Sequence, residues 1–296
     1  MNPTGTPVTA PNRAPGAVWT APPARRFAVW TCLRWELMKL TALVRVRITL
    51  ALCALAPFVF VFLLNRAGQL PKDSLYGRWV KDTGFAVPLL MLGFVGLWVF
   101  PLLTSLVAGD IFAAEDQYGT WKTLLTRSRS RNAVFWGKTL AAAVFATAVI
   151  VIAAGASLLA GVLMVGREPL ESASGTLITP GAAARLDLEA WACALPSLLG
   201  FTALALMVSV LARNAAVGVV TPVVVGGLMQ LYAFLNGTDA VRHLMLSTGF
   251  DSWHGLATRP THHQALTTSL LVAAAWTALC LAIAHTVFRR RDVTGG

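Results

Sequence analysis

The chain has 296 residues, of which 56% are hydrophobic and only 12% charged, with a formal net charge of +11 and a mean hydropathy of +0.66. That composition excludes an ordinary soluble domain and points to an integral membrane protein. The positive charge reads as a topology and headgroup signal rather than a nucleic-acid one, because the basic residues lie between apolar runs instead of forming one patch.

Residues 1–27, rich in Pro, Ala and Thr, lack the apolar core of a signal peptide and are expected to form a disordered tail. An amphipathic interfacial helix is expected over 28–46. Trp30, Leu33, Leu37, Leu40 and Val44 recur at steps of three and four, while Arg34, Glu36, Lys39 and Arg45 fall largely off that stripe. Such a helix lies flat at the cytoplasmic interface with its cations near lipid phosphates.

A six-span domain is then expected over 47–288. Six runs contain no Asp, Glu, Lys or Arg: Ile48 to Leu64, Phe85 to Ala108, Leu140 to Gly166, Ala190 to Leu211, Ala215 to Leu235 and Ala265 to Phe288. Each suffices for a spanning helix. With the N-terminus inside, 16 of the 24 Lys and Arg fall on the inner side, as the positive-inside rule requires. Both termini are then cytoplasmic, the second as a short basic tail over 289–296. Cys32, Cys53, Cys193 and Cys280 show no paired spacing and read as small apolar residues.

Two connectors exceed what joining helices requires. The first, 110–139, is expected to be cytoplasmic. It opens with Asp110, Glu115 and Asp116, turns at Gly119-Thr120, places Trp121, Leu124 and Leu125 at helical spacing, and becomes basic through Arg127, Arg129 and Arg131. Acids near the start of a short helix and bases near its end suit its dipole, and its apolar side fits a groove on a soluble partner. Asn132 to Thr139, NAVFWGKT, falls one residue short of a phosphate-binding loop. No strand precedes it and Val134, Phe135 and Trp136 would crowd the nest, so Lys138 is expected to snorkel at the start of the third span instead. The second connector, 236–264, carries Leu244, Leu246, Phe250 and Trp253, with no run able to span. Short re-entrant helices in the outer leaflet are expected there. His243, His254, His262 and His263 lie in it without a Cys or carboxylate cluster to complete a metal site.

Chemistry inside the membrane is sparse. There is no H-E-x-x-H, no G-x-S-x-G and no paired intramembrane Asp; His285 is the one ionisable residue within the runs. Carriers driven by ion gradients need ionisable or broken-helix sites at mid-membrane, so an energy source outside the chain is expected. An intramembrane enzyme, or an anchoring assembly protein without transport activity, are the alternatives.

In order, Glu115, Gly119-Thr120, Leu124-Leu125, Ser130-Arg131 and Gly137-Lys138 resemble the inner loop of ABC-2-type transporter permeases. The segment Arg34-Trp35-Glu36-Leu37 resembles that family's interfacial helix, and the tail FRRRDV its C-terminal end. Ser128 stands where the family usually has Pro. The resemblance implies a bacterial inner-membrane exporter subunit, paired with a second copy or a sister permease. It implies a separate ATP-binding subunit, holding ATP and Mg, docked on the loop through Glu115, Gly119, Thr120, Trp121, Leu124, Leu125, Ser130 and Arg131, with Arg34, Glu36 and Leu37 on the interfacial helix. No cofactor is expected on this chain, and the apolar lining expected between protomers favours a lipid-linked, amphipathic or drug-like cargo.

Overall fold

The computed structural model describes residues 25–66, 76–77, 79–121, 130–172, 175–235, 238–258 and 261–290. Residues 1–24 of the expected tail, Leu124, Leu125 and the end of the basic tail lie outside them, and helix already begins at Arg25, within the 1–27 expected to be disordered. Nine α-helices appear among the described residues: α1 (Arg25–Ala42), α2 (Val44–Arg66), α3 (Ala86–Ala108), α4 (Ala113–Gln117), α5 (Arg131–Met164), α6 (Pro180–Ala212), α7 (Ala215–Phe234), α8 (Asp239–Arg242) and α9 (Gln264–Arg290). A two-stranded antiparallel hairpin pairs β1 (Leu170–Glu171) with β2 (Leu177–Ile178), and a 3₁₀ helix runs from Leu246 to Leu256. Six helical segments, on α2, α3 continuing into α4, α5, α6, α7 and α9, are long and apolar enough to cross a membrane. The protein is an all-α multi-pass membrane architecture.

The charge-free runs locate these helices but not their ends. α5 begins at Arg131 rather than Leu140, and α6 at Pro180 rather than Ala190. The added turns hold Lys138, which is ion-paired, and Arg185 and Glu189, whose exposed side chains pair at 2.8 Å one turn apart. A helix passes through paired charges such as these, so a charge in the sequence need not mark a helix end.

Between half and two-thirds of the spanning windows of α3, α5 and α6 are buried, against about a fifth in α2, α7 and α9. The first three form the interior. The other three present apolar faces outward, which are stable only against lipid or another protein. Glycine sets the closest approaches. Any Cβ on Gly84 would lie 2.3 Å from the Gly161 carbonyl oxygen, and one on Gly109 would lie 2.4 Å from the Gly218 backbone. The segment around α3 therefore touches α5 at one end and α7 at the other, backbone to backbone.

On the opposite side from the α3–α4 turn, the 3₁₀ helix packs on α6 and α9. Leu246 seats against Gly200, and Phe250 stacks on Phe201 at 6.0 Å and lies 6.3 Å from Phe100. The apolar residues of this connector are thus structural: they pack against the middle of α3 and α6, at Gly96, Phe100, Gly200 and Phe201. Among the described residues no three His, Cys, Asp or Glu side chains converge as metal ligands.

The expected apolar stripe is shared out: Leu33 and Leu40 are buried against the protein, whereas Trp30 is 68% exposed and Val44, at the start of α2, 67%. The buried face runs through Ala28, Cys32, Leu33, Glu36 and Leu40, because α1 lies against α5. Its neighbour is partly polar, so a glutamate takes a place that hydropathy reserves for an apolar residue.

Candidate functional site

The start of the inner connector folds into a compact polar knot. α3 ends at Ala108, the chain turns, and the single turn of α4 follows, anchored where the Ala113 amide donates to Ser209 Oγ of α6 at 3.1 Å. α4 then terminates on Gly119, whose φ of 62° places it in the left-handed region. The Thr120 amide donates back to the Glu115 carbonyl at 3.0 Å, which is the closure a left-handed helix end permits. The same turn brings the Thr120 hydroxyl onto Glu115 Oε2, to which it donates. Glu115, Gly119 and Thr120 therefore act as one local device: glycine makes the turn, and threonine uses it to fix the carboxylate.

The other carboxylate oxygen faces two lysines from different helices. Lys138 Nζ donates to Glu115 Oε1 at 2.9 Å and to the Ile111 carbonyl at 3.1 Å, and lies 3.0 Å from Glu36 Oε1. Lys39 Nζ donates to Glu115 Oε1 at 2.8 Å and to Glu36 Oε1 at 3.3 Å. Two carboxylates and two ammonium groups thus join α1, α4 and α5. A separate pair, Arg45 to Asp110, ties the start of α2 to the end of α3. Burial lowers the pKa of Lys39, but the Glu115 hydrogen bond and the charges of Glu36 and Glu115 outweigh it and raise the ammonium above its ordinary value.

Lys138 does not snorkel. Its side chain is 1% exposed, and burial of that ammonium is tolerable because three oxygens surround it. The preceding glycine has a related role. A Cβ on Gly137 would lie 2.6 Å from Cys32 Cβ and 3.2 Å from the Leu33 amide nitrogen, so only glycine lets α1 close on α5. The Gly137-Lys138 pair therefore provides a close approach and then a charge to meet Glu36. Gly137→Ala is expected to destabilise the protein by about 1–3 kcal/mol through overpacking, measured by thermal unfolding in one detergent; an unchanged transition would show that α1 can draw back freely.

The remaining predicted residues fall around the knot. Trp121 is buried, stacked on Phe112 at 6.4 Å and 5.3 Å from Phe288 of α9, with its indole N–H lacking an acceptor. Phe135 of α5 joins the same cluster, 5.6 Å from Phe112. Ser130 precedes α5, its carbonyl accepting from the Ala133 amide at 2.8 Å. Arg131 donates to the Arg289 carbonyl at 3.2 Å, linking the loop to the end of α9. On α1, Glu36 is buried in the knot while Arg34 is exposed and Leu37 half-buried on the outward side. Leu124 and Leu125 lie outside the described residues.

Three contributors carry no local sequence signal: Lys39, Arg45 and Asp110. Lys39 was legible only as a polar residue of an amphipathic helix, and its partner is 76 positions away. Besides His285 of the charge-free runs, two ionisable groups lie in the helical turns that precede them. Lys138 lies within α5, and Asp187 within α6. Asp187 is 1% exposed, and among the described residues neither carboxylate oxygen has a hydrogen-bond partner. Close by, burial and the Asp187 carboxylate push the Tyr76 phenol up to about 12, and the Tyr76 ring stacks on Trp253 at 6.0 Å.

A family model described as a protein of unknown function (DUF2705) matches residues 48–294. No curated protein matches the chain.

Proposed function

The chain belongs to the DUF2705 family, and from that premise we propose that it is the permease subunit of an ABC-2-type exporter, moved by a separate ATP-binding subunit. The observation that carries this reading is the knot of Glu36, Lys39, Glu115 and Lys138, which joins the start of the inner connector to both α1 and α5. A push on that connector would reach two helices through charge-assisted hydrogen bonds, which are short and directional. Of the residues to which the ABC-2 resemblance gives a coupling role, Glu115, Gly119 and Thr120 take part in the knot, as does Glu36 of the interfacial helix, while Lys39 and Lys138 join it without having been assigned that role.

In this reading the N-terminus, the inner connector and the basic tail are cytoplasmic, in a bacterial inner membrane. The outward apolar faces of α2, α7 and α9 meet lipid and a second permease copy or sister subunit. The ATP and Mg belong to the partner, and the cargo is lipid-linked, amphipathic or drug-like. An intramembrane enzyme has less support: among the described residues no second acid is hydrogen-bonded to Asp187, and an inert anchor would not need a structured charge knot.

The docking surface is tested at Leu124. Leu124→Asp is expected to abolish co-purification of the ATP-binding subunit while the permease still inserts into the membrane. Undiminished complex formation would reject the proposal.

A further inference from the structure

Beside the knot lies a cavity of about 690 Å³, and the coupling role makes no use of it. One wall is the elbow between α1 and α2, with Leu40, Leu43 and Val44; the other is the end of α3, with Val107, Ile111 and Ala114. Lys39 and Arg45 line it as well, from the α1 and α2 sides of the elbow.

The charges in it are unequally placed. The side chains of Glu115 and Asp110 are 9% and 11% exposed, whereas those of Lys39 and Arg45, which pair with them, are 54% and 43% exposed. The acids are held behind and the bases stand in front. Those bases also have donors to spare. Among the described residues Lys39 uses two of its three N–H groups, on Glu36 and Glu115, and Arg45 reaches Asp110 through Nη2 alone, out of five N–H groups. The cavity therefore offers an anion several unfilled donors between apolar walls. Val44 and Tyr118, which line it, are 67% and 74% exposed, so among the described residues the cavity is open on that side.

We propose that this cavity binds the phosphate of an anionic phospholipid of the inner leaflet. Lys39 and Arg45 donate to the phosphate oxygens, and the walls at Leu43, Val44 and Ile111 take the glycerol and first acyl carbons. The lipid source is favoured over free phosphate by those apolar walls and by the place of the elbow, where the chain enters its first span; the orientation rests on the permease reading. A phosphate drawing on Lys39 competes with Glu36 and Glu115 for the same ammonium, so occupancy would tune how firmly α1 holds the knot.

The test uses the full chain purified into nanodiscs of phosphatidylglycerol or phosphatidylcholine, with retained lipid counted by native mass spectrometry. About a tenfold preference for phosphatidylglycerol is expected. Lys39→Gln combined with Arg45→Gln is expected to remove it. So is Ala114→Trp, which fills the cavity and leaves every ion pair in place, a control should the double variant unfold. Inorganic phosphate at millimolar concentration is expected not to displace the lipid. Equal retention of the two lipids, full retention by the folded Ala114→Trp variant, or displacement by inorganic phosphate would each overturn the proposal. Capture of the ATP-binding subunit is scored on the same samples, so loss of lipid with capture intact, or the reverse, separates this site from the coupling role.

Discussion

Replacing Lys138 with methionine is expected to lower stability by about 3–5 kcal/mol, the usual consequence of removing one partner from a buried ion pair. The ammonium is the buried cation of the knot, and its loss leaves Glu36 and Glu115 sharing the half-exposed Lys39. It also leaves the Ile111 carbonyl without its donor. The measurement is thermal or denaturant unfolding in a single detergent. A variant with Lys138→Met, Glu36→Gln and Glu115→Gln together is expected to recover much of the loss, because the uncompensated charge is gone. If the single and triple variants unfold alike, the knot is not coupled as described. Because α1, α4 and α5 meet at this one nitrogen, the single variant is also expected to free α1, which protease or hydrogen-exchange protection of Arg25–Ala42 would register.

Asp187 is expected to behave in the opposite sense. Asp187→Leu should raise stability by about 1–3 kcal/mol, since a buried group with no hydrogen-bond partner opposes folding by about that amount. Leucine is close in size and fills the same space with carbon. The gain should appear as a later unfolding transition at neutral pH. A lowered transition instead would show that the carboxylate has a bound partner such as a cation, and would favour a carrier driven by an ion gradient. Few positions in the chain predict a gain on losing a charge; this one does because burial, not pairing, defines its surroundings.

The six spans were legible from where charge is absent, because a spanning helix must be apolar over about twenty residues whatever it packs against. Their ends were not. Lys138 and Glu189 stopped the charge-free runs, and whether a charge is satisfied depends on residues far away in sequence or on the far side of a turn. Within the knot, Glu115, Gly119 and Thr120 could be read together because a helix end is a local event, complete within six residues. Lys39, Arg45 and Asp110 could not, since separations of 76 and 65 positions leave no periodic trace. On α1 the periodicity marks an apolar stripe, but the neighbour decides which part of the helix the protein covers. That neighbour, α5, carries a lysine, and so the covered stripe includes Glu36.

The two glycine contacts bear on how such a molecule could move. α3 has 23 residues, so it is a rod about 35 Å long, gripped near one end by α5 at Gly161 and just past the other by α7 at Gly218. Backbone pressed on backbone has no rotamers to rearrange, so neither grip can slip gradually as interlocked side chains do. A push arriving at the α4 end is therefore expected to carry α5 and α7 along with α3 at these two contacts, and paired spin labels on α3 with α5 and on α3 with α7 are expected to keep their distances while a pair across the elbow at Leu43 changes.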